Sequence, residues 1–208
     1  MAKAKKILSF AELEERAKGI HQIKITLIGS KPNIWRRIQT YSDINLNKFH
    51  KILQVVMGWK EAHLYEFRLC GTYYSLPDIE NQDELSDQRD SRKIKLYQIS
   101  HRIIDQIAHG DKADFTYTYD LGDKWDHIIQ FEKYLPIDIS KQYPICLNGK
   151  MACPPEDVGG ISEYLRCLKI IKNPDHEQYK EIVDWIGGNF DPTFFSNYEV
   201  NQSLRKIL

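Results

Sequence analysis

The 208-residue chain has no run of about 18 apolar residues, so no transmembrane helix and no membrane partner are expected. It has no net charge. Its 29 lysines and arginines balance 29 aspartates and glutamates, which argues against a global electrostatic grip on nucleic acid, where phosphate neutralisation supplies most of the affinity. Its four cysteines (Cys70, Cys146, Cys153 and Cys167) include no C-x-x-C pair, which leaves out the zinc ribbon and the thioredoxin-type redox motif. There is no Gly-rich phosphate loop, G-x-S-x-G elbow, H-E-x-x-H pair or dinucleotide fingerprint, so the common ATPases, hydrolases and dehydrogenases are disfavoured. The first 18 residues are charged where a signal peptide would be apolar. A cytoplasmic chain with reduced thiols is therefore expected.

What is present reads as a folded globular chain. Aromatic residues make up 12% of it, more than a disordered chain carries. Residues 1–19 read as a flexible or helical tail, and 20–208 as one domain. Ile23, Ile25 and Leu27 alternate with polar neighbours, as a half-buried strand requires, and Ile34 to Tyr41 reads as its partner across a Gly-Ser-Lys-Pro turn. Asn45 caps a helix over Leu46 to about Met57, with Leu46, Phe49, Leu53 and Val56 at helical spacing, and Gly58 ends it. A hairpin is expected through Gly71 and Thr72, then an acid-rich loop from Asp78 to Asp90. Ile94 to Leu96 reads as a short strand followed by a helix through Ile103, Ile104 and Ile107. Phe115, Tyr117 and Tyr119 alternate as a strand, Asp120 to Asp123 turns, and Trp125 to Tyr134 returns. Pro136 to Pro155 reads as a long connection. Helices are expected at Ile161 to Ile171, about His176 to Ile186, and Asn201 to Ile207. The fold class is α+β: a mainly antiparallel sheet, helices packed on one face, and a helical C-terminal third.

Two segments carry chemistry. Asp120-Leu-Gly-Asp-Lys-Trp-Asp-His127 holds three carboxylates and an imidazole in eight residues, a ligand set that suits zinc, manganese or iron. On a strand, Asp123, Trp125 and His127 would share a face. A hairpin turn explains the same residues, since Asp120 and Asp123 suit turns and Gly122 supplies positive φ. The second segment, Cys153-Pro-Pro-Glu-Asp-Val-Gly-Gly160, presents Glu156 and Asp157 on a stiff backbone, either as part of a site or as acids at a helix N-terminus. Cys146 and Cys153 read as buried thiols ahead of a metal or redox pair. The catalytic candidates are thus Asp120, Asp123, His127, Glu156 and Asp157. The metal candidates are Asp123, His127 and Asp157. The binding candidates are Trp35, Arg36, Arg37, Trp59, His63 and Trp125, and Trp35-Arg36-Arg37 reads either as a nucleic-acid contact or as an amphipathic strand.

Taken together, Ile34-Trp-Arg-Arg37, Met57-Gly-Trp59 with His63-Leu64, Tyr117 to His127, Cys153 to Gly160 and the closing stretch with Asn201 and Leu204 resemble the plasmid pRiA4b ORF-3-like family. That family is named for the third open reading frame of a root-inducing plasmid. The resemblance runs from about Ile20 to Leu208. Some members are labelled insertion-sequence passenger proteins of TnpR type, which implies an association with mobile elements. The resemblance brings no activity with it. A recombinase would need a nucleophilic Ser or Tyr with an arginine set, and none is assignable. This chain departs from the family pattern at Leu121, where Phe is usual, and at Val158, where Cys is frequent.

The leading expectation is a non-enzymatic binding or accessory module with a protein or nucleic-acid partner. The alternative is a metal-assisted hydrolase built on the Asp/His/Glu cluster, in which one carboxylate acts as base on a bound water. That alternative requires Asp123, His127 and Asp157 to converge. No cofactor is assigned beyond the divalent metal that this cluster would take.

Overall fold

The structure, a computed structural model, describes residues 18–76, 88–108 and 114–207. Most of the expected N-terminal tail and of the acid-rich loop lies outside these residues. The chain runs β1 (Ile20–Leu27), β2 (Trp35–Tyr41), α1 (Leu46–Met57), β3 (Tyr65–Leu69), β4 (Thr72–Ser75), β5 (Gln88–Asp90), α2 (Leu96–Ala108), β6 (Phe115–Tyr119), β7 (Trp125–Leu135), β8 (Ile145–Lys150), α3 (Gly160–Ile170), α4 (Tyr179–Trp185) and α5 (Asn197–Leu204). The strands form one sheet in the order β5-β4-β3-β6-β7-β1-β2-β8. Every pairing is antiparallel except β4 with β5. The class is α+β.

Period-two alternation sorts the sheet into two faces. Ile23, Ile25, Leu27, Phe67, Tyr117, Trp125, His127 and Ile129 are buried on the inner face, while Lys24, Thr26, Thr116, Thr118 and Asp126 alternate with them and remain partly exposed. Helix α1 covers the inner face. Its Asn45 cap accepts a hydrogen bond from the Lys48 N–H, and Gly58 closes it in the left-handed region at φ 109°, as the sequence predicts. Phe49, Leu53 and Val56 are buried, each contributing about 1.5–3 kcal/mol by leaving water. The Phe49 ring stacks on Phe67 at 5.8 Å. Helix α3 turns Tyr164 edge-on to Trp125 at 6.5 Å.

Three expectations are corrected. The expected strand at Ile94 is reduced to a single bridge between Asn45 and Lys95, because helix α2 begins at Leu96. The expected connection from Pro136 to Pro155 contains β8, and the last third is therefore a strand and three helices. The polar run Asn148-Gly149-Lys150 hides this strand's alternation. Its edge is held from outside: the Asn201 side chain accepts from the Cys146 N–H (2.7 Å) and donates to the Cys146 carbonyl (2.9 Å), which satisfies ladder groups that a partner strand would otherwise take. Helix α5 begins at Asn197, four residues before the expected start at Asn201, because Ser196 caps it through the Glu199 N–H. Among the described residues no helix is long and apolar enough to cross a membrane.

Candidate functional site

The turn between β6 and β7 is built by Asp120. Its side chain accepts from the Gly122 N–H (2.9 Å) and the Asp123 N–H (3.2 Å), an Asx-type turn, with Asp120 itself in the left-handed region at φ 56°. Asp123 leaves the hairpin to accept a hydrogen bond from the Gly159 N–H at 3.0 Å. That bond ties the hairpin to the loop carrying Glu156 and Asp157. Gly160 makes the same contact close: a Cβ there would lie 2.5 Å from the Asp123 carbonyl oxygen, and its φ is +75°, so only glycine fits without displacement.

The Pro-Pro loop is fixed from below by Trp59, whose indole N–H donates to the Pro154 carbonyl at 3.1 Å. Glu156 accepts from the Lys60 N–H at 2.9 Å and from the Tyr119 hydroxyl at 3.2 Å. Burial, and next the Glu156 charge, push the Tyr119 phenol up to about 12. Asp157 takes φ 57° and turns its carboxylate outward, three-quarters exposed.

These loops converge on His63. Its Nε2 lies 3.0 Å from Asp157 Oδ1, 3.7 Å from Asp120 Oδ2 and 3.9 Å from Glu156 Oε2. One ligand atom from each of His63, Asp120 and Asp157 falls within 4.8 Å of the others. His63 Nε2 is sequestered from solvent, yet none of these approaches has hydrogen-bond geometry. An imidazole nitrogen set among three carboxylate oxygens in this way presents one nitrogen and several oxygens to a common point, a donor set for a borderline divalent ion such as zinc, manganese or iron.

The structure divides the candidates. Asp120, Glu156, Asp157 and His63 come together. Asp123 stands beside them as the clamp between hairpin and loop. His127 does not join. It is fully buried on the inner face of β7, with Nδ1 3.2 Å from the Tyr117 carbonyl and Trp59 edge-on at 5.3 Å. Burial pulls it down to about 4, so it is a neutral core imidazole. The required convergence of Asp123, His127 and Asp157 therefore fails, because the strand that holds Asp123 at its lip carries His127 four residues deeper. Trp59 and Trp125 are also buried core residues and offer no binding surface.

Arg36 is corrected too. It is 2% exposed, donates to the Val56, Trp35 and Lys150 carbonyls at 2.7, 2.8 and 3.0 Å, and lies over the Phe195 ring at 4.4 Å. Arg37 forms a two-pronged pair with Glu132 at 2.7 and 2.8 Å, and stacks with Lys24 against Trp35. Tyr119 is the site residue that sequence reading missed. The signal was present, since Tyr119 adjoins Asp120 on an alternating strand, but the strand's aromatic face reads as core.

The family model of plasmid pRiA4b ORF-3-like proteins matches residues 19–199. An uncharacterised protein, y4hQ of Sinorhizobium fredii, is 33% identical over 184 residues, covering 88% of this chain and 89% of that one. The crystal structure of MM3350 from Methanosarcina mazei, a protein of unknown function, superposes with a TM-score of 0.75 at 32% identity, covering 87% of this chain and 97% of that one. Motifs, fold and relatives agree, and the chain belongs to the plasmid pRiA4b ORF-3-like family.

Proposed function

We propose that this chain is a binding module whose working centre is a divalent-cation site formed by His63, Asp120 and Asp157, with Glu156 completing the carboxylate set. The observation that carries this reading is the His63 Nε2 atom, sequestered among three carboxylates without a hydrogen bond to any of them. A cation at that point would satisfy the imidazole lone pair and offset the mutual repulsion of the acids. The centre opens to solvent on the Asp157 side, and Leu64 and Leu121, which follow His63 and Asp120 in sequence, have exposed side chains. A bound ion there would offer an open coordination position to an anionic group of a partner, protein or nucleic acid. Residues 20–208 would act as one domain through the continuous sheet, and the four unpaired cysteines fit a reducing compartment.

The metal-assisted hydrolase is the second reading. It is favoured by Glu156, which is adjacent to the same point and available as a base for a metal-bound water. The nucleic-acid reading through Arg36 has no support, since that guanidinium is held by backbone carbonyls.

The test is a thermal melt of chelator-treated protein against a panel of divalent ions. At a hundredfold excess over its dissociation constant a ligand of the folded state adds about 2.7 kcal/mol, a rise of roughly 5–10 °C for a chain of this size. The rise should vanish in His63→Ala and in Asp157→Ala. An unchanged melting temperature with every ion, or a rise that survives both substitutions, would refute the site. Turnover of ester or phosphoester substrates by the loaded protein, lost in Glu156→Gln, would favour the hydrolase over the module.

A further inference from the structure

A second place in the molecule has the make-up of a ligand site. Between the β1–β2 turn, the end of β8, helix α3 and the loop before α5 lies a cavity of about 440 Å³, within the range of about 300–1,000 Å³ that small-molecule sites occupy. It shares no residue with the His63 centre. Its wall is apolar: Met151, Leu165 and Leu168 line it, and Met151 and Leu168 are nearly buried. The only charged side chains lining it are Lys31, Lys169 and Lys172. They come from two separate parts of the chain, the β1–β2 turn and the C-terminal end of α3. None of the three has a carboxylate partner among the described residues. The neighbouring Asp191 accepts through one oxygen, Oδ1, from the Thr193 N–H and hydroxyl at 2.8 and 2.7 Å, and forms no ion pair with these lysines among the described residues. Lys169 and Lys172 also offset the negative end of the α3 dipole, but that effect does not account for Lys31, which lines the same apolar hollow.

Three cations with no carboxylate partner among the described residues, set around an apolar cavity, complement one kind of small molecule. We infer that this cavity binds an amphiphilic monoanion, an aliphatic carboxylate whose chain lies against Met151, Leu165 and Leu168 and whose head is held by Lys31, Lys169 and Lys172. Burying the chain supplies roughly 0.8 kcal/mol per methylene, and the ammonium groups select the charged head over a neutral one. The ion centre plays no part in this site.

The experiment is isothermal titration of chelator-treated full-length protein with decanoate, kept below its micelle concentration, in parallel with decanol and with acetate. Expected are a one-to-one complex with decanoate, at least tenfold weaker binding of decanol, and no measurable binding of acetate. The variant Lys31→Gln/Lys169→Gln/Lys172→Gln replaces three exposed side chains. It should keep its melting temperature and lose decanoate affinity at least tenfold. Thr193→Trp, which fills the mouth with an indole, should lose both decanoate and decanol. Equal affinity for decanol and decanoate, full affinity in either variant, or no heat with decanoate would each overturn the inference. So would association only with vesicles containing anionic lipid, which would make the lysines a membrane contact. Because the protein is stripped of metal throughout, failure here leaves the cation centre standing, and failure of the cation centre leaves this result readable.

Discussion

The segment from Asp120 to His127 contributes to two regions with opposite chemistry. At its solvent end, Asp120 joins His63, Glu156 and Asp157 in a rim of carboxylates around one imidazole. At its other end, Trp125 and His127 are fully buried under Trp59 and Tyr164. A few residues of strand separate a water-facing donor set from an apolar wall, and Trp59 contacts both through Tyr119 (4.8 Å) and His127 (5.3 Å). The difference teaches that the wall sets the geometry and the rim sets the chemistry. The wall should therefore respond to substitution in stability, and the rim in ligand response.

The largest effect is expected in the wall. Trp125→Ala empties a site with no exposed surface and should cost about 3–5 kcal/mol, read as a lower denaturant midpoint. A cost below about 1 kcal/mol would show that the wall does not set the geometry. Acid should act through the same region. Burial holds His50 down at about 3 and His127 at about 4, whereas both titrate near 6.5 in the unfolded chain. The unfolded state thus binds protons that the folded state refuses, and stability, complete above about pH 6.5, is lost as pH falls toward 4. By pH 5 the loss should be about 2 kcal/mol for each histidine, measurable by denaturation at a series of pH values. A flat profile between pH 7 and 5 would contradict neutral burial.

Gly160→Ala tests the joint between the regions. The new Cβ meets the Asp123 backbone, at a cost of about 1–3 kcal/mol. By pushing the Asp157 loop off the hairpin it should also weaken the ion response in thermal melts. Asp157→Asn should have the smallest effect on stability, within about 0.5 kcal/mol without metal, while removing that ion response. A large loss of metal-free stability in Asp157→Asn would place Asp157 with the wall.

These two regions also show how far the residues could be read before the fold was known. Alternation predicted β1 and β6, the turns after them predicted β2 and β7 as their partners, and the Asn45 cap and Gly58 stop placed α1 over Leu46 to about Met57, because local backbone preferences decide those elements. Strand β8 was hidden because its polar run masks the alternation and its outer edge is satisfied by Asn201, 55 residues away in sequence. For the site, the acids were legible as acids, but their sharing was not. The period-two rule put Asp123 and His127 on one side of a strand without saying that Trp59 would cover His127 and leave Asp123 at the lip. His63 belongs to the centre only because β3 pairs with β6 in the register Tyr65 to Tyr119, which sets His63 beside Asp120. Arg36 looked like half of a basic pair until the β2–β8 pairing and Phe195 closed over it.

The most direct test of the ion centre is anomalous diffraction from crystals grown with zinc. The account predicts one strong peak bonded to His63 Nε2 at about 2.0–2.1 Å, with Asp120 and Asp157 oxygens completing its shell and His127 untouched. No peak at His63, or a zinc bound by His127, would contradict it.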